Sequence, residues 1–267
     1  MTDALHAAGP FAQAPALSET PEIRKVPLDA AYAWLEAGWK DLWTAPRISL
    51  AYGAVFAAFA YVAALQLTRL NALPFLLPVA FGFLLMGPVL AAGLYQISRL
   101  RERGEPITFR GVALAEWAGR DQLTSFGVLL FLLYFFWMNT ALLLFMLFFG
   151  AANFPTVDEF IPALLFTDHG QGLLLTGTAV GALFAAAAYT ISAIAVPLMF
   201  DRKVDAVTAM IASARAVRTN LPAMALWAAL IVLMTFIGLV LLFVGLVIAF
   251  PLIGHASWHA YKELAPA

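Results

Sequence analysis

Residues 124–150 read TSFGVLLFLLYFFWMNTALLLFMLFFG, a run without one charged side chain. As a helix it is roughly 40 Å long, more than the ~30 Å hydrocarbon core of a bilayer. Such a run belongs to a transmembrane helix that tilts or protrudes. Three comparable runs fall at about 48–68, 74–98 and 173–199. Residues 222–261 are harder, because as one helix they would reach roughly 60 Å, twice the hydrocarbon thickness. They divide into spans at about 222–240 and 243–261, with the reversal expected between Gly238 and Gly245 although no polar turn marks it. Composition agrees: the chain is 63% hydrophobic and 12% charged, where a soluble domain carries roughly 45–50% and 25%. The fold expected is therefore all-α, a polytopic membrane helix bundle of six transmembrane helices.

The membrane domain occupies residues 25–264. Residues 1–24 are Ala/Pro-rich and lack periodicity, which predicts a disordered tail. The tail has neither the basic start nor the apolar core of a secretory signal, so the N-terminus is expected to stay in the cytoplasm.

Three stretches read as amphipathic helices lying on the cytoplasmic face: 28–44, 109–121 and 203–219. In the first, Leu28, Tyr32, Leu35, Trp39 and Leu42 form one face, and Asp29, Glu36, Lys40 and Asp41 the other. In the third, Val204, Val207, Ile211, Ala214 and Val217 form the apolar face, against Asp205, Thr208, Arg215 and Arg218. Asn220 and Pro222 end it, since the residue before a proline is pushed out of the helical region. Trp34, Trp39, Trp43, Trp117, Trp227 and Trp258 all fall toward the same face, where an indole buries its ring and keeps its N–H wet. Trp137 lies deep in the third span.

Under this topology every Lys and Arg except Arg69 is on the inner side, a strong positive-inside bias. Both termini are then cytoplasmic, in a bacterial inner membrane. Three times, an interfacial helix leads into a span and the returning span carries a proline near its end, at Pro88, Pro197 and Pro251. The pattern suggests a threefold repeat of an interfacial helix plus a hairpin. Pro78 and Pro88 predict kinks in the second span. Residues 151–172 read as an external loop in which FIPALLF dips into the interface. Gly177, Gly181 and Ala185 form a small-residue face for close helix approach. Asn139 and Thr140 are expected to hydrogen-bond between helices.

The succession of AWLEAGWKDLWTAPRISLAYG, FGFLLMGPVLAAGLYQISRLRERGE, AVRTNLPAMALWAALI and FPLIGHASWHAYKEL resembles a family of uncharacterised bacterial integral membrane proteins, over about residues 22–264. The resemblance implies six spans and a bacterial inner membrane, with no known activity or catalytic residue. Some members carry the label "cytochrome c oxidase subunit I". That catalytic subunit needs a dozen spans and six ligating histidines, whereas this chain has only His6, His169, His255 and His259. The chain is not that subunit.

Chemistry-bearing residues are few. There is no cysteine, hence no disulfide and no thiolate. The net charge of −1 and the lack of a basic domain argue against a nucleic-acid partner. No phosphate-binding Gly-rich loop, HExxH or GxSxG is present, so no catalytic residue and no cofactor is assigned. No acid or base falls clearly in a hydrocarbon centre, which weighs against an ion-coupled transporter.

One candidate stripe remains. His255, His259 and Glu263 share a helix face at four-residue steps. Two imidazoles and a carboxylate can hold a divalent metal, or the pair can serve haem. A third ligand would then come from Glu102, Glu116, Asp121 or Asp201. The preferred alternative has the imidazoles hydrogen-bonded to backbone carbonyls or to Tyr95 and Gln96. The function expected is that of a non-enzymatic membrane protein, a scaffold or accessory factor for other membrane proteins or a respiratory complex, with the lipid bilayer as its constant partner. A passive channel or transporter for a small or amphipathic solute, and a metal- or haem-binding respiratory accessory protein, stand as alternatives.

Overall fold

A computed structural model describes residues 20–113, 120–150 and 156–266. His6 and most of the tail, Glu116, Trp117 and residues 151–155 lie outside the described residues. Among the described residues the secondary structure is helical throughout. α1 (Ala30–Thr44) leads into α2 (Pro46–Arg69), and the chain returns through α3 (Leu76–Leu90) and, after a break at Ala91, α4 (Ala92–Glu102). α5 (Phe109–Ala113) precedes α6 (Arg120–Phe149). α7 (Val157–Phe166) follows, and the return runs through α8 (Asp168–Ser192) and α9 (Ala195–Asp201). α10 (Ala206–Thr219) leads into α11 (Leu221–Val240), and α12 (Leu246–Leu264) returns.

Among the described residues five stretches are long and apolar enough to cross a membrane: α2, α3 with α4, α6, α8 with α9, and α11. α12 has 19 residues, about 28 Å, and runs back along α11. The reversal falls at Leu241–Gly245, inside the expected interval. It is tight because Gly245 rests on Gly238: a Cβ on Gly245 would lie 2.8 Å from the Gly238 Cα. Leu242 (φ 52°) and Phe243 (φ 67°) take the left-handed conformation there, which costs an L-residue roughly 1–2 kcal/mol each.

The two broken returns follow from their sequences. Pro88 has no amide to donate, and three residues later the helix gives way at Ala91. Tyr52 on α2 donates its hydroxyl to the Leu90 carbonyl at 2.6 Å, which satisfies an acceptor at the break. The second return breaks at Ala193–Ile194, where the Ile194 amide donates to Ser213 Oγ on α10 at 3.4 Å. The third return, α12, stays continuous through Pro251.

Several expectations need correction. The described part of residues 151–172, expected to be a loop, is largely helical: α7 starts where the Thr156 amide donates to Glu159 Oε2 at 3.1 Å. That bond and the Thr156 side chain hold the Glu159 carboxyl below its ordinary range. T-V-D-E is a capping signature, legible in the sequence but not read there. Asn139 and Thr140 bond back to Phe135 O and Phe136 O of their own helix, not to a neighbour. Gly181 meets Trp137, but nothing lies within 4 Å of a Cβ on Gly177. Of the two glycines of the small-residue face, Gly181 alone is closely approached.

The largest correction concerns α1 and α10. The apolar faces assigned to them are split: Leu42, Val204 and Val217 are buried, but Leu28, Tyr32, Trp39, Val207 and Ile211 are exposed. The buried residues of α1 are Ala30, Ala31, Trp34, Gly38, Asp41 and Leu42, and those of α10 are Thr208, Ala209, Ala212, Ser213, Ala216 and Val217, mostly small or polar. In a bilayer large apolar side chains gain little by turning inward, because lipid tails are as apolar as leucine. Close packing and hydrogen bonds decide instead, and those favour the stripe of small and polar residues.

Candidate functional site

The buried polar groups cluster around the second half of α12. From Phe250 to Leu264 no residue of this helix is exposed, because α1, α2, α4, α9 and α11 all pack on it. Two close approaches set its position. A Cβ on Gly38 of α1 would lie 2.6 Å from the Ala256 amide nitrogen. A Cβ on Gly53 of α2 would collide with the Val247 carbonyl and the Pro251 ring.

Held this way, α12 brings three side chains to separate partners. His255 is fully buried, with Nε2 3.1 Å from Ser49 Oγ on α2 and Nδ1 2.8 Å from Ser98 Oγ on α4. Both ring nitrogens are used, one as donor and one as acceptor in the neutral imidazole. His259 Nε2 lies 2.9 Å from Asp41 Oδ2, and since a carboxylate only accepts, this nitrogen carries the proton. The other Asp41 oxygen accepts from Arg101 of α4. Asp41 itself is only 1% exposed. Glu263 Oε2 accepts from Trp34 Nε1 on α1 at 2.6 Å. The expected stripe thus exists along α12, but its members face Ser49 and Ser98, Asp41, and Trp34 respectively. Among the described residues no three His, Asp or Glu side chains converge as metal ligands.

A second cluster lies where the three returns meet. Tyr95 of α4, Phe200 of α9 and Trp258 of α12 form a triangle of rings with centroids 6.2–6.3 Å apart. Tyr261 packs edge-on against Trp258 at 5.5 Å. Each return contributes one ring to the triangle, as a threefold repeat would. Around it, Trp258 Nε1 donates to Glu102 Oε1 at 2.8 Å and Tyr261 donates to Asp201 Oδ2 at 2.9 Å. Lys262 sits between these carboxylates, 3.5 Å from Glu102 and 3.6 Å from Asp201, and over the Trp258 ring. Arg99 stacks on Phe200 and donates to its carbonyl, and Arg202 donates to the Ala265 carbonyl. Lys262 and Glu102 remain about a third exposed, so these pairings position the side chains more than they stabilise the fold.

Glu102 and Asp201, named as possible third ligands, therefore converge on Lys262. Asp121 opens α6 at an exposed position. Tyr95 and Gln96 do not bond the imidazoles; Ser98, on the same helix, does so instead. Gln96 Oε1 is buried without a hydrogen-bond partner among the described residues. Asp41, Arg101, Ser49, Ser98 and Lys262 were missed as site residues. A signal for Asp41 existed: it continues the 31, 34, 38 spacing of small residues and tryptophan.

Asn220 also does more than end a helix. Its side chain accepts from the Val26 amide at 2.9 Å and donates to the Arg24 carbonyl at 3.0 Å, as a neighbouring strand would. The Arg24 amide donates to the Leu264 carbonyl at 2.9 Å. Residues 24–26 are thereby strapped across the ends of α10 and α12, so this end of the supposed tail is anchored.

No curated protein and no solved structure matches the chain. A family match does exist, and its bounds coincide with the start of α3 and the end of α9. It takes in Ser98, Arg101, Glu102 and Asp201, while their partners on α1, α2 and α12 lie beyond it. Residues 76–201 match the model of a family described as "Predicted integral membrane protein (DUF2189)".

Proposed function

We propose that this integral membrane protein is a non-enzymatic scaffold or accessory factor for other membrane complexes in a bacterial inner membrane. The observation that carries the reading is the filled junction of the three returns. Rings from α4, α9 and α12 occupy it, and Lys262 ties Glu102 to Asp201 across it. A solute pathway along that line would have to break all of these contacts. The outward faces of α2, α6, α8 and α11 carry Phe59, Phe136, Leu183 and Phe236 fully in reach of lipid or another membrane protein. Association in the bilayer plane is what such a surface can do. Both termini are cytoplasmic in this reading, supported by the confinement of all Lys and Arg but Arg69 to one end.

The test is purification from native membranes in lipid discs, with the co-isolated proteins identified and the sample assayed for metal and haem. A reproducible stoichiometric membrane partner is expected, together with proteoliposomes no more permeable to small solutes than protein-free ones. Solute flux, or bound metal or haem lost in the His255→Ala/His259→Ala variant, would instead support one of the alternative readings.

A further inference from the structure

A groove opens to the outside between α3 and α6, lined by Val89, Leu123, Thr124, Gly127, Val128 and Phe131. Leu123 is its buried floor, while Thr124, Val128 and Phe131 are exposed walls. Gly127 makes the notch: a Cβ there would meet only Val89 Cγ1, at 3.9 Å. Arg120, Thr124, Gly127 and Phe131 follow one another at three- and four-residue steps, so they share a face of α6. Arg120 is exposed at the basic end of that face, and its carbonyl accepts from the Thr124 hydroxyl at 3.0 Å. Asp121 is one residue on, about 100° round the helix. From Arg120 to Phe131 the face rises about 16 Å, from the headgroup level to about mid-membrane.

A second outward groove, on α11, makes a useful contrast. It is lined by Ala228, Ala229, Val232, Leu233 and Phe236, and α11 carries no charged residue at all. Both grooves suit a lipid chain, but only the first continues to a cation. We propose that the α3–α6 groove holds one acyl chain of an anionic phospholipid, with its phosphate against Arg120. The inference needs only that α6 spans the membrane, and it is independent of the scaffold reading.

Native mass spectrometry of the detergent-extracted protein, offered equal phosphatidylglycerol and phosphatidylcholine, tests it. One cation near the membrane surface favours an anionic lipid about fivefold, so the wild type should retain phosphatidylglycerol over phosphatidylcholine by about that ratio. Arg120→Gln should bring the ratio close to one. Gly127→Leu should fill the notch and lose retention of both lipids while melting like the wild type. Thr124→Phe, from the exposed wall, should do the same and serves if the leucine variant does not fold. Val232→Trp, in the α11 groove, should leave the ratio unchanged. Equal retention of the two lipids by the wild type, an undiminished ratio in Arg120→Gln, or undiminished retention in both filled variants would overturn the proposal.

Discussion

Replacing Gly38 by leucine is expected to cost about 3 kcal/mol of stability, the upper end of the range for overpacking a core. The new Cβ would lie 2.6 Å from a backbone nitrogen of α12, so no rotamer of a neighbour can make room. One helix must move. Trp34 and Asp41 lie about one turn to either side of Gly38, on the same stripe of α1. Displacing α1 therefore also breaks the Trp34–Glu263 and Asp41–His259 hydrogen bonds. A thermal-aggregation series on the detergent-extracted protein reads the effect, with Ala33→Leu on the exposed face of α1 as control. Equal midpoints for the two variants would show that α1 and α12 do not touch at Gly38.

Asp41→Ala is expected to be nearly as damaging, at about 2–3 kcal/mol. Removing one member of a buried pair typically costs about 3–5 kcal/mol, because its partner is left uncompensated. Here the lower figure applies, since the Arg101 side chain is 37% exposed and keeps some water. Glu36 provides the contrast. It pairs with Lys40 on the exposed face of the same helix, and Glu36→Ala should leave the melting midpoint unchanged. Asp41→Asn should fall between, keeping an acceptor but not the charge. Identical midpoints for Asp41→Ala and Glu36→Ala would mean that Asp41 faces solvent.

Much of this architecture was legible in the sequence. The apolar runs gave the spans, Pro88 marked a return that breaks, and Gly238 and Gly245 bracketed the reversal that lacks a polar turn, whereas α3 contains Pro78 and α12 contains Pro251 without a break. The inward faces of α1 and α10 were only partly legible by hydrophobic periodicity, which picked the buried Leu42, Val204 and Val217 together with the exposed Leu28, Tyr32, Trp39, Val207 and Ile211. That method assumes water outside, whereas a helix at a membrane surface can leave tyrosine and tryptophan exposed and bury alanine, glycine and serine. The candidate site was half legible. The spacing of His255, His259 and Glu263 put them on one helix, as found. Their partners come from Trp34, Asp41, Ser49 and Ser98, about 160 to 230 residues away in sequence, and one helix's spacing holds no trace of such pairings. Asp41 shows this: its step from residues 31, 34 and 38 points it inward, but nothing on its own helix names Arg101 and His259 as its partners.

The central claim is that the three returns converge on α12 and close the junction between them. Because the chain has no native cysteine, paired cysteines report this without background. Tyr95→Cys with Trp258→Cys, and Phe200→Cys with Trp258→Cys, put thiols on the backbone positions whose rings now meet with centroids 6.3 and 6.2 Å apart. In native membranes both pairs should be linked by a short membrane-permeant bis-maleimide, which adds one thiol to each of its ends. Phe59→Cys with Leu183→Cys, on the outward faces of α2 and α8, should remain unlinked within one chain. Failure of both inner pairs to link, or equal linking of the outward pair, would contradict a closed junction around α12.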